Sequence, residues 1–268
     1  MSHPPEGNRR DLAPAVTRAM RVLDVVGDSM GRALALSEIA KAIGAPKSST
    51  SNLCTALEES GMLRRHADGR YSLGRRTVEL GAAYVASFDQ VQEFHRLCLE
   101  SPALSRELVK IALLDGTEVV YLARHEGRPP LQFSARVGAR FPAASTAVGN
   151  ILLSLLDDAE IRTRFDRPGA FPRWTENSVT GIEQLLEKVA VARRNGHAVD
   201  DAAVLPGIEG LAVALPSEAT YGTMLGLGVS FDQATTTDAQ RAELLSELRE
   251  LRDRLVNPES IMVPTGRR

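Results

Sequence analysis

A run of short polar side chains near residue 47 has the composition of a DNA-contacting surface. Its members are one lysine, three serines and one asparagine: Lys47, Ser48, Ser49, Ser51 and Asn52. A lysine ammonium reaches a phosphate or a guanine edge, while hydroxyl and amide groups bond to phosphates or base edges. We therefore predict that this run faces DNA.

A second basic group follows the polar run in the chain. It consists of arginines around a turn, Arg64, Arg65 and Arg70. The turn contains Asp68-Gly69, a dipeptide typical of tight β-hairpins. A hairpin that carries arginines can reach an adjacent groove or the phosphate backbone. The sequence thus predicts two DNA contacts, one on a helix and one on a hairpin.

Other chemistries find little support in the chain. Residues 44–48 end in Lys-Ser, as a phosphate-binding loop does, but Pro46 stands where that loop needs its second glycine. The five histidines are scattered and form no H-E-x-x-H pair. Cys54 and Cys98 belong to no C-x-x-C motif, which argues against a disulfide framework or a cysteine zinc site. We expect no enzyme activity, no cofactor and no metal.

Apolar periodicity predicts the elements that position these residues. One helix begins near Ala15, a second begins at Ser37 as its N-cap and ends at Gly44, and a third spans Pro46–Ser60. The predicted inward-facing residues are Val16, Ala19, Met20, Leu23 and Val26 on the first helix and Leu53, Ala56 and Leu57 on the third. Three helices followed by a hairpin are the order of a winged helix-turn-helix, whose third helix enters the major groove.

The remainder of the chain mixes strands and helices. After a helix over Arg75–Ser87, we predict strands at Val109–Leu114, Glu118–Ala123, Leu131–Val137, His197–Asp200, Gly210–Leu215 and Met224–Phe231, and helices at Thr146–Leu156, Ile182–Asn195 and Asp238–Val256. The order shows no regular βαβ alternation, which favours an α+β fold.

Length and charge fit a protein of two domains. The 268 residues exceed one average domain. Residues 1–80 carry a net charge of +3 and residues 81–268 a net charge of −5, the sign expected if the first part alone meets phosphate. No apolar run is long enough to span a bilayer, and no signal-peptide stretch opens the chain. We expect a cytoplasmic protein without a membrane partner.

Several motifs occur together in this chain. They are Leu36-Ser37-Glu38-Ile39-Ala40, Pro46-Lys47-Ser48, Leu57-Glu58-Glu59-Ser60-Gly61 and Gly69-Arg70-Tyr71-Ser72-Leu73-Gly74, followed by the segments 136–142, 146–149 and 196–201. Over residues 14–256 they resemble the isocitrate lyase regulator (IclR) family. The resemblance implies an α+β fold with a winged helix-turn-helix domain over 14–75, a linker helix over 76–92 and a GAF-like α/β effector-binding domain over 93–258.

The resemblance also implies a pocket for small metabolites, often carboxylates or aromatic acids. Carried onto this sequence, the effector-binding residues are Ser145, Thr146, Ala147, Asp200, Gly210, Leu211, Gly228 and Ser230. Backbone N–H groups at a helix start suit a carboxylate, and a serine hydroxyl or an aspartate suits ligand hydroxyl or amide groups. Phe133 and Phe141 are expected to form an apolar wall.

Some positions depart from the family pattern. Ala144 replaces a usual histidine, Ala202 and Ala203 replace usual acidic residues, Gly210 replaces a common cysteine, and Gly228 replaces a small polar residue. Because these changes remove polar groups and add room, we expect an aromatic or branched carboxylic acid or amide as the effector.

The function expected from these features is sequence-specific control of transcription, with repression released by the effector. The expected partners are double-stranded operator DNA, a small-molecule effector, and further copies of this chain in a homodimer or homotetramer. Three alternatives stay open: an activator of the same architecture, a helical module that acts through protein contacts, and a GAF-like enzyme with an adaptor module.

Overall fold

The computed structural model describes residues 11–127, 136–216 and 223–256. The chain divides between Ser87 and Phe88 into two units. The first unit contains α1 (Pro14–Asp28), α2 (Leu36–Ile43), α3 (Lys47–Glu59), β1 (Leu63–Arg65), β2 (Tyr71–Leu73) and α4 (Arg75–Val85). The predicted order of three helices and a hairpin is confirmed.

The core of the first unit joins the three helices to the hairpin. It contains Val22, Leu23, Val26, Leu34, Ile39, Cys54, Leu63 and Tyr71. The inward faces predicted for α1 and α3 are partly wrong, since Val16, Met20 and Ala56 are exposed. On α3 the buried stripe runs through Thr50 and Cys54 instead. Both side chains are compact, which lets α3 pack closely on its neighbours.

The turn between α2 and α3 sets where the polar run begins. Gly44 ends α2 with φ +65°, a left-handed conformation that glycine adopts without strain. Pro46 is the N-cap residue of α3. At the other end of α2 the predicted N-cap, Ser37, lies inside the first turn. Ala35 is the N-cap residue, and its N–H donates to Oε2 of Glu38 at 2.7 Å.

The second unit is a six-stranded antiparallel sheet with helices. Its elements are α5 (Asp89–Glu100), a 3₁₀ helix (Leu104–Arg106), β3 (Leu108–Asp115), β4 (Glu118–Glu126), β5 (Arg140–Pro142), α6 (Ala147–Leu153), α7 (Asp158–Phe165), α8 (Ile182–Asn195), β6 (Ala198–Leu205), β7 (Ile208–Ala214), β8 (Leu225–Asp232) and α9 (Asp238–Val256). The strand order is β5-β4-β3-β8-β7-β6. None of the helices within the described ranges is long and apolar enough to cross a membrane.

Some predicted elements differ from the structure. The segment 76–92, predicted as one linker helix, holds the end of α4 and the start of α5, because Phe88 is extended with ψ 103°. The predicted strand Leu131–Val137 lies largely outside the described residues, as does Phe133, and residues 136–137 form no strand. The predictions for α8 and α9 are confirmed to the residue.

Helix α6 packs directly on the sheet because two glycines of β8 leave room for it. A Cβ at Gly228 or Gly226 would meet Val148 of α6 at less than ordinary contact distance. Leu152, one turn further along α6, also lies over Gly226. These glycines therefore fix the height of α6 above the sheet.

Candidate DNA-binding surface and effector pocket

The polar run predicted to face DNA lies on the first turns of α3. Lys47, Ser48 and Asn52 are exposed, and Ser49 and Ser51 are partly buried. Thr50, within the same run, points inward, and its hydroxyl donates to the Pro46 carbonyl at 3.0 Å. The structure thus places all five predicted residues on one helix and leaves three of them in solvent.

The exposed stripe of α3 extends further than the polar run. Thr55 is exposed and follows Ser48 and Asn52 at helical spacing. The first acidic residue of α3 is Glu58, in its last turn. A surface without carboxylates over the first turns can approach phosphates without repulsion. Thr55 could have been found by extending the helical period from Ser48.

The hairpin β1–β2 presents its two adjacent arginines differently. Arg64 lies opposite Ser72 and is exposed, with no acidic partner among the residues that the structure describes. The Arg65 guanidinium lies 5.8 Å from the ring centroid of Tyr71. Such a cation–π contact orients Arg65 on the face that also carries buried Leu63. Arg64 is therefore the freer cation of the pair.

Arg70 connects the hairpin to α2. Its Nη1 lies 3.2 Å from Oε2 of Glu38 and donates to the Ala33 carbonyl at 3.4 Å. Glu38 also accepts from Arg32 at 2.9 Å. The Ala35 N–H first, and then Arg32 and Arg70, lower the pKa of the Glu38 carboxyl. Arg70 thus holds the hairpin in place and keeps nearly half of its side chain exposed.

A pocket that is partly open to solvent and encloses a cavity of about 30 Å³ lies in the second unit. The predicted effector residues that line it are Thr146, Ala147, Asp200, Gly210, Leu211, Gly228 and Ser230. These residues come from α6 and from strands β6, β7 and β8, which are far apart in sequence. The structure therefore brings together most of the site that the resemblance implied.

Other residues singled out for the pocket lie elsewhere. Ser145 is buried, and its hydroxyl accepts from the Val179 N–H at 3.2 Å. Phe141 packs in the core between the rings of Tyr121 and Trp174, at 5.0 and 5.5 Å. Ala144, Ala202 and Ala203 are buried and do not line the pocket, so their small size adds no room there.

The two pocket glycines act differently from each other. At Gly228 the space above the strand is already filled by Val148, so the expectation of added room is wrong there. At Gly210 an added Cβ would lie 3.5 Å from Cβ of Asp200 and 3.7 Å from Oγ of Ser230. The absent side chain of Gly210 therefore leaves open space between these two polar residues.

Asp200 is held by a bulge in β6. Its Oδ1 accepts from the Ala203 N–H at 2.7 Å, and Ala202 has φ +49°, which is unusual for a residue with a side chain. The segment before α8 supports this bulge. Hydroxyls of Thr175 and Ser178 donate to the Ala202 and Ala203 carbonyls at 2.9 and 2.7 Å. The strained backbone is thus fixed from outside the pocket.

Lys110 lines the pocket and was not predicted from the sequence. It is 5% exposed, its Nζ donates to Oγ of Ser230 at 2.5 Å, and it lies 5.4 Å from the Tyr121 ring centroid. Burial lowers the pKa of Lys110 to about 8, while the charge of Asp200 opposes that shift. Burial likewise raises the pKa of Asp200 to about 6, against the Ala203 N–H and the Lys110 charge.

A signal for Lys110 was present in the sequence. It is the one charged residue between Leu108 and Leu114 in a strand that is otherwise apolar. For the other lining residues no such signal exists in the sequence. They are Tyr121 and the apolar residues Val148, Val204, Leu205 and Ile208.

Catalytic arrangements find no support in the geometry. The letters G-x-S-x-G occur at Gly27–Gly31, but Ser29 is the C-cap residue of α1 and its hydroxyl donates to the Val26 carbonyl at 2.7 Å. A hydrolase nucleophile on this motif needs a preceding strand and an exposed hydroxyl. Across the described part of the chain, no group of three or more histidine, cysteine or acidic residues could hold a metal ion.

Comparison with known proteins covers both units. Residues 15–67 match the model of the IclR helix-turn-helix domain, and residues 82–255 match that of the bacterial transcriptional regulator IclR C-terminal domain. The HTH-type transcriptional regulator XynR of Escherichia coli is 26% identical over 240 residues, which cover 89% of this chain and 94% of that protein.

Solved structures agree with these matches. The Agobacterium tumefaciens repressor BlcR is 31% identical, with a TM-score of 0.57, over 92% of this chain and 98% of that one. An IclR homologue from Microbacterium hydrocarbonoxydans, complexed with 4-hydroxybenzoate, is 23% identical, with a TM-score of 0.77, over 91% of this chain and 98% of that one. The relatives are named transcriptional regulators, not enzymes. This chain therefore belongs to the IclR family of DNA-binding transcriptional regulators.

Proposed function

We propose that this protein is a transcription repressor whose affinity for operator DNA is controlled by a small organic acid or amide bound in the second unit. The observation that carries the proposal is the exposed edge of α3. Lys47, Ser48 and Asn52 lie there in solvent, and no acidic residue of α3 precedes Glu58. That edge, in a helix-turn-helix of this family, suits a major groove.

The DNA contacts divide into those that specify and those that position. Asn52, Ser49 and Ser51 are assigned to base edges, and Lys47 and Ser48 to phosphates or a guanine edge. Arg64 and Arg65 of the hairpin are assigned to the neighbouring backbone or groove. Arg70 contributes mainly by fixing the hairpin on α2 through Glu38.

Two copies of the recognition helix are expected to act together. A homodimer or homotetramer places paired helices over the half-sites of a palindromic operator, with a spacing set by the protein's own symmetry. The relative BlcR is named a repressor, which supports repression as the direction of control.

The effector class follows from the pocket and from one relative. The cavity of about 30 Å³ is smaller than small-molecule sites usually are, so an aromatic acid would have to widen it. The apolar residues Val148, Val204 and Leu211 line it beside a few polar groups. The homologue bound to 4-hydroxybenzoate supports an aromatic acid. We assign Thr146, Ala147, Asp200, Gly210, Leu211, Gly228 and Ser230 to the effector, with Ser145 supporting the loop before α6.

Footprinting on the DNA upstream of the protein's own gene tests the DNA-binding assignment. We expect a protected palindrome, with Asn52→Ala weakening the specific complex about 10- to 100-fold and Lys47→Ala weakening specific and non-specific complexes alike. Lys188→Ala on α8 is the matched control for charge. Unchanged affinity in both α3 variants would contradict the recognition surface.

A promoter reporter distinguishes repression from activation. Deleting the gene for a repressor raises expression from the protected promoter, whereas deleting an activator lowers it. Adding the effector to cells that carry the intact gene should reproduce the direction seen in the deletion.

A further inference from the structure

The pocket contains one cation and one anion that do not pair with each other. Lys110 on β3 and Asp200 on β6 both line it. Within the described ranges, the hydrogen-bond acceptor of Lys110 Nζ is the neutral hydroxyl of Ser230, and no carboxylate forms a salt bridge with it. Arg124, opposite Lys110 on β4, pairs with Glu126. Among the described residues the ammonium therefore has no carboxylate in contact, although the charge of Asp200 acts on it from further away.

The sheet register explains why the two charges stay apart. Asp200 pairs with Gly210, Gly210 with Ser230, and Lys110 with Gly228. Asp200 and Lys110 are thus three strands apart and offset by two residues, about 16 Å between their backbones at the usual strand spacing and rise. Two glycines lie between them on this face: Gly210 leaves room beside Asp200 and Ser230, whereas Val148 of α6 fills the space over Gly228.

A buried ammonium without an anion is costly, because neither a hydroxyl nor an aromatic ring replaces the water that it has lost. Both charges persist at neutral pH, since the pKa of Lys110 is about 8 and that of Asp200 about 6. A ligand carboxylate near Lys110 would supply the missing charge through a charge-assisted hydrogen bond. A neutral amide would not.

Asp200 needs a hydrogen-bond donor from the ligand, whereas Lys110 needs a negative charge. Its Oδ1 is occupied by the Ala203 N–H, while Oδ2 accepts no hydrogen bond from any residue that the structure describes. A carboxylate oxygen that faces a pocket binds a hydroxyl or amino donor. Val148 of α6 supplies an apolar wall beside the two charged residues.

We propose that the effector is a carboxylic acid that also carries a hydroxyl or amino group, with its carboxylate on Lys110 and its donor on Asp200 across an apolar body. Lys110 is then the residue that selects acids over amides of the same shape. This inference rests on the proposed role of the pocket as the effector site and narrows the class of effector.

Matched compounds test the inference on the intact protein. We would titrate 4-hydroxybenzoate, 4-hydroxybenzamide and benzoate, and the aliphatic trio 6-hydroxyhexanoate, its amide and hexanoate, by calorimetry at pH 7. In at least one trio the hydroxy acid should bind best, with the amide about 10- to 100-fold weaker. The acid without the hydroxyl should be weaker by a smaller factor.

Variants assign the preference to residues. Lys110→Met should remove the advantage of the acid over its amide, and Lys110→Arg should retain it. Asp200→Asn should reduce the advantage of the hydroxyl and leave that of the carboxylate. Lys41→Met, an exposed lysine on α2, is the matched control and should bind like the parent protein.

Three results would overturn the inference: equal binding of acid and amide, an acid preference that survives in Lys110→Met, or no binding in either trio. The comparison of acid with amide needs no variant and stands if Lys110→Met does not fold. Gel shifts with the same compounds separate this inference from the proposed function. An acid bound through Lys110 that leaves DNA affinity unchanged upholds the inference and contradicts effector control.

Discussion

Lys110 Nζ lies 2.5 Å from Ser230 Oγ, and this hydrogen bond joins two residues that are 120 positions apart in sequence. Strands β3 and β8 are neighbours in the sheet, and both residues point to the face covered by α6. The contact places a cation in an apolar interior where the serine satisfies one donor and cancels no charge. Two consequences for stability follow from it.

The ligand-free protein should be more stable without this charge. Replacing Lys110 by Met keeps an unbranched side chain of similar length and removes the desolvated ammonium. We expect Lys110→Met to raise the free energy of unfolding by about 1–3 kcal/mol, because replacing unpaired buried charge with apolar side chains is commonly stabilising. Thermal melting at pH 7 measures this as a higher Tm.

The exposed Lys41→Met is the control for that measurement and should change stability by no more than about 0.5 kcal/mol. A lower Tm for Lys110→Met than for the parent protein would show that the ammonium stabilises the fold. The hydrogen bond between Lys110 and Ser230 would then serve the fold, and Lys110 would not be a charge held ready for a ligand.

Stability should also depend on pH through the same residue. The pKa of Lys110 is about 8 in the folded protein, against 10.5 for an ordinary lysine. Between these values the unfolded chain binds more protons, so stability should rise with pH from about 8 upward. The raised pKa values of Cys54 and Cys98 act in the opposite direction above pH 9.

The difference between the parent protein and Lys110→Met isolates the lysine from the cysteines. Urea unfolding between pH 7 and 9 should show that the stability advantage of the variant shrinks as pH increases. Tyr121 and Asp200 face Lys110 in both proteins, and the raised pKa of Tyr121 keeps its phenol neutral in this range. A constant difference between the two proteins would contradict the titration of Lys110.

Arg64 and Arg70 should affect DNA binding by different routes. Arg64 is unpaired within the described residues, so Arg64→Ala should reduce the salt dependence of binding by about one unit. Arg70 contacts Glu38, and its loss should loosen the turn of the hairpin on α2, while buried Leu63 and Tyr71 keep the hairpin packed. Glu38→Gln should then produce part of the same defect, although the amide can still accept from the Ala35 N–H.

A double-mutant cycle measured by gel shift tests this difference. Arg70→Ala combined with Glu38→Gln should weaken binding no more than Arg70→Ala alone, because both changes break one contact. When Arg64→Ala is combined with Glu38→Gln, the two fold-losses in DNA affinity should multiply. Multiplied losses in both pairs would mean that Arg70 binds DNA independently of Glu38.

Local signals explain what the sequence predicted well. Gly44, Pro46 and the Asp68-Gly69 turn fix the ends of α3 and the hairpin through their own backbone preferences, and the structure places α3 within one residue of its prediction. The motifs carried from the family likewise located Asp200, Gly210 and Ser230 in one pocket. The domain boundaries at 75 and 92 stay predictions.

Contacts that are distant in sequence explain what was missed. The inward face of α1 depends on where α2 and the hairpin lie, so Val22 is buried and Val16 is not. Lys110 belongs to the pocket only because α6 covers its face of β3 and because β8 supplies Ser230. No pattern within β3 alone encodes either neighbour.

The glycines of the pocket should respond differently to the same small substitution. Gly228→Ala places a methyl group against Val148 and should cost about 1–3 kcal/mol through overpacking. Gly210→Ala meets its nearest neighbours at 3.3 to 3.7 Å and should cost about 1 kcal/mol or less. Its methyl group occupies the space between Asp200 and Ser230, so it should weaken ligand binding instead.

Melting without ligand, followed by ligand titration, separates the two effects. Val148→Ala should restore part of the stability lost in Gly228→Ala and none of the affinity lost in Gly210→Ala. Equal stability of Gly228→Ala and the parent protein would mean that α6 can move away from the sheet, so that Val148 does not fix the height of α6 above β8.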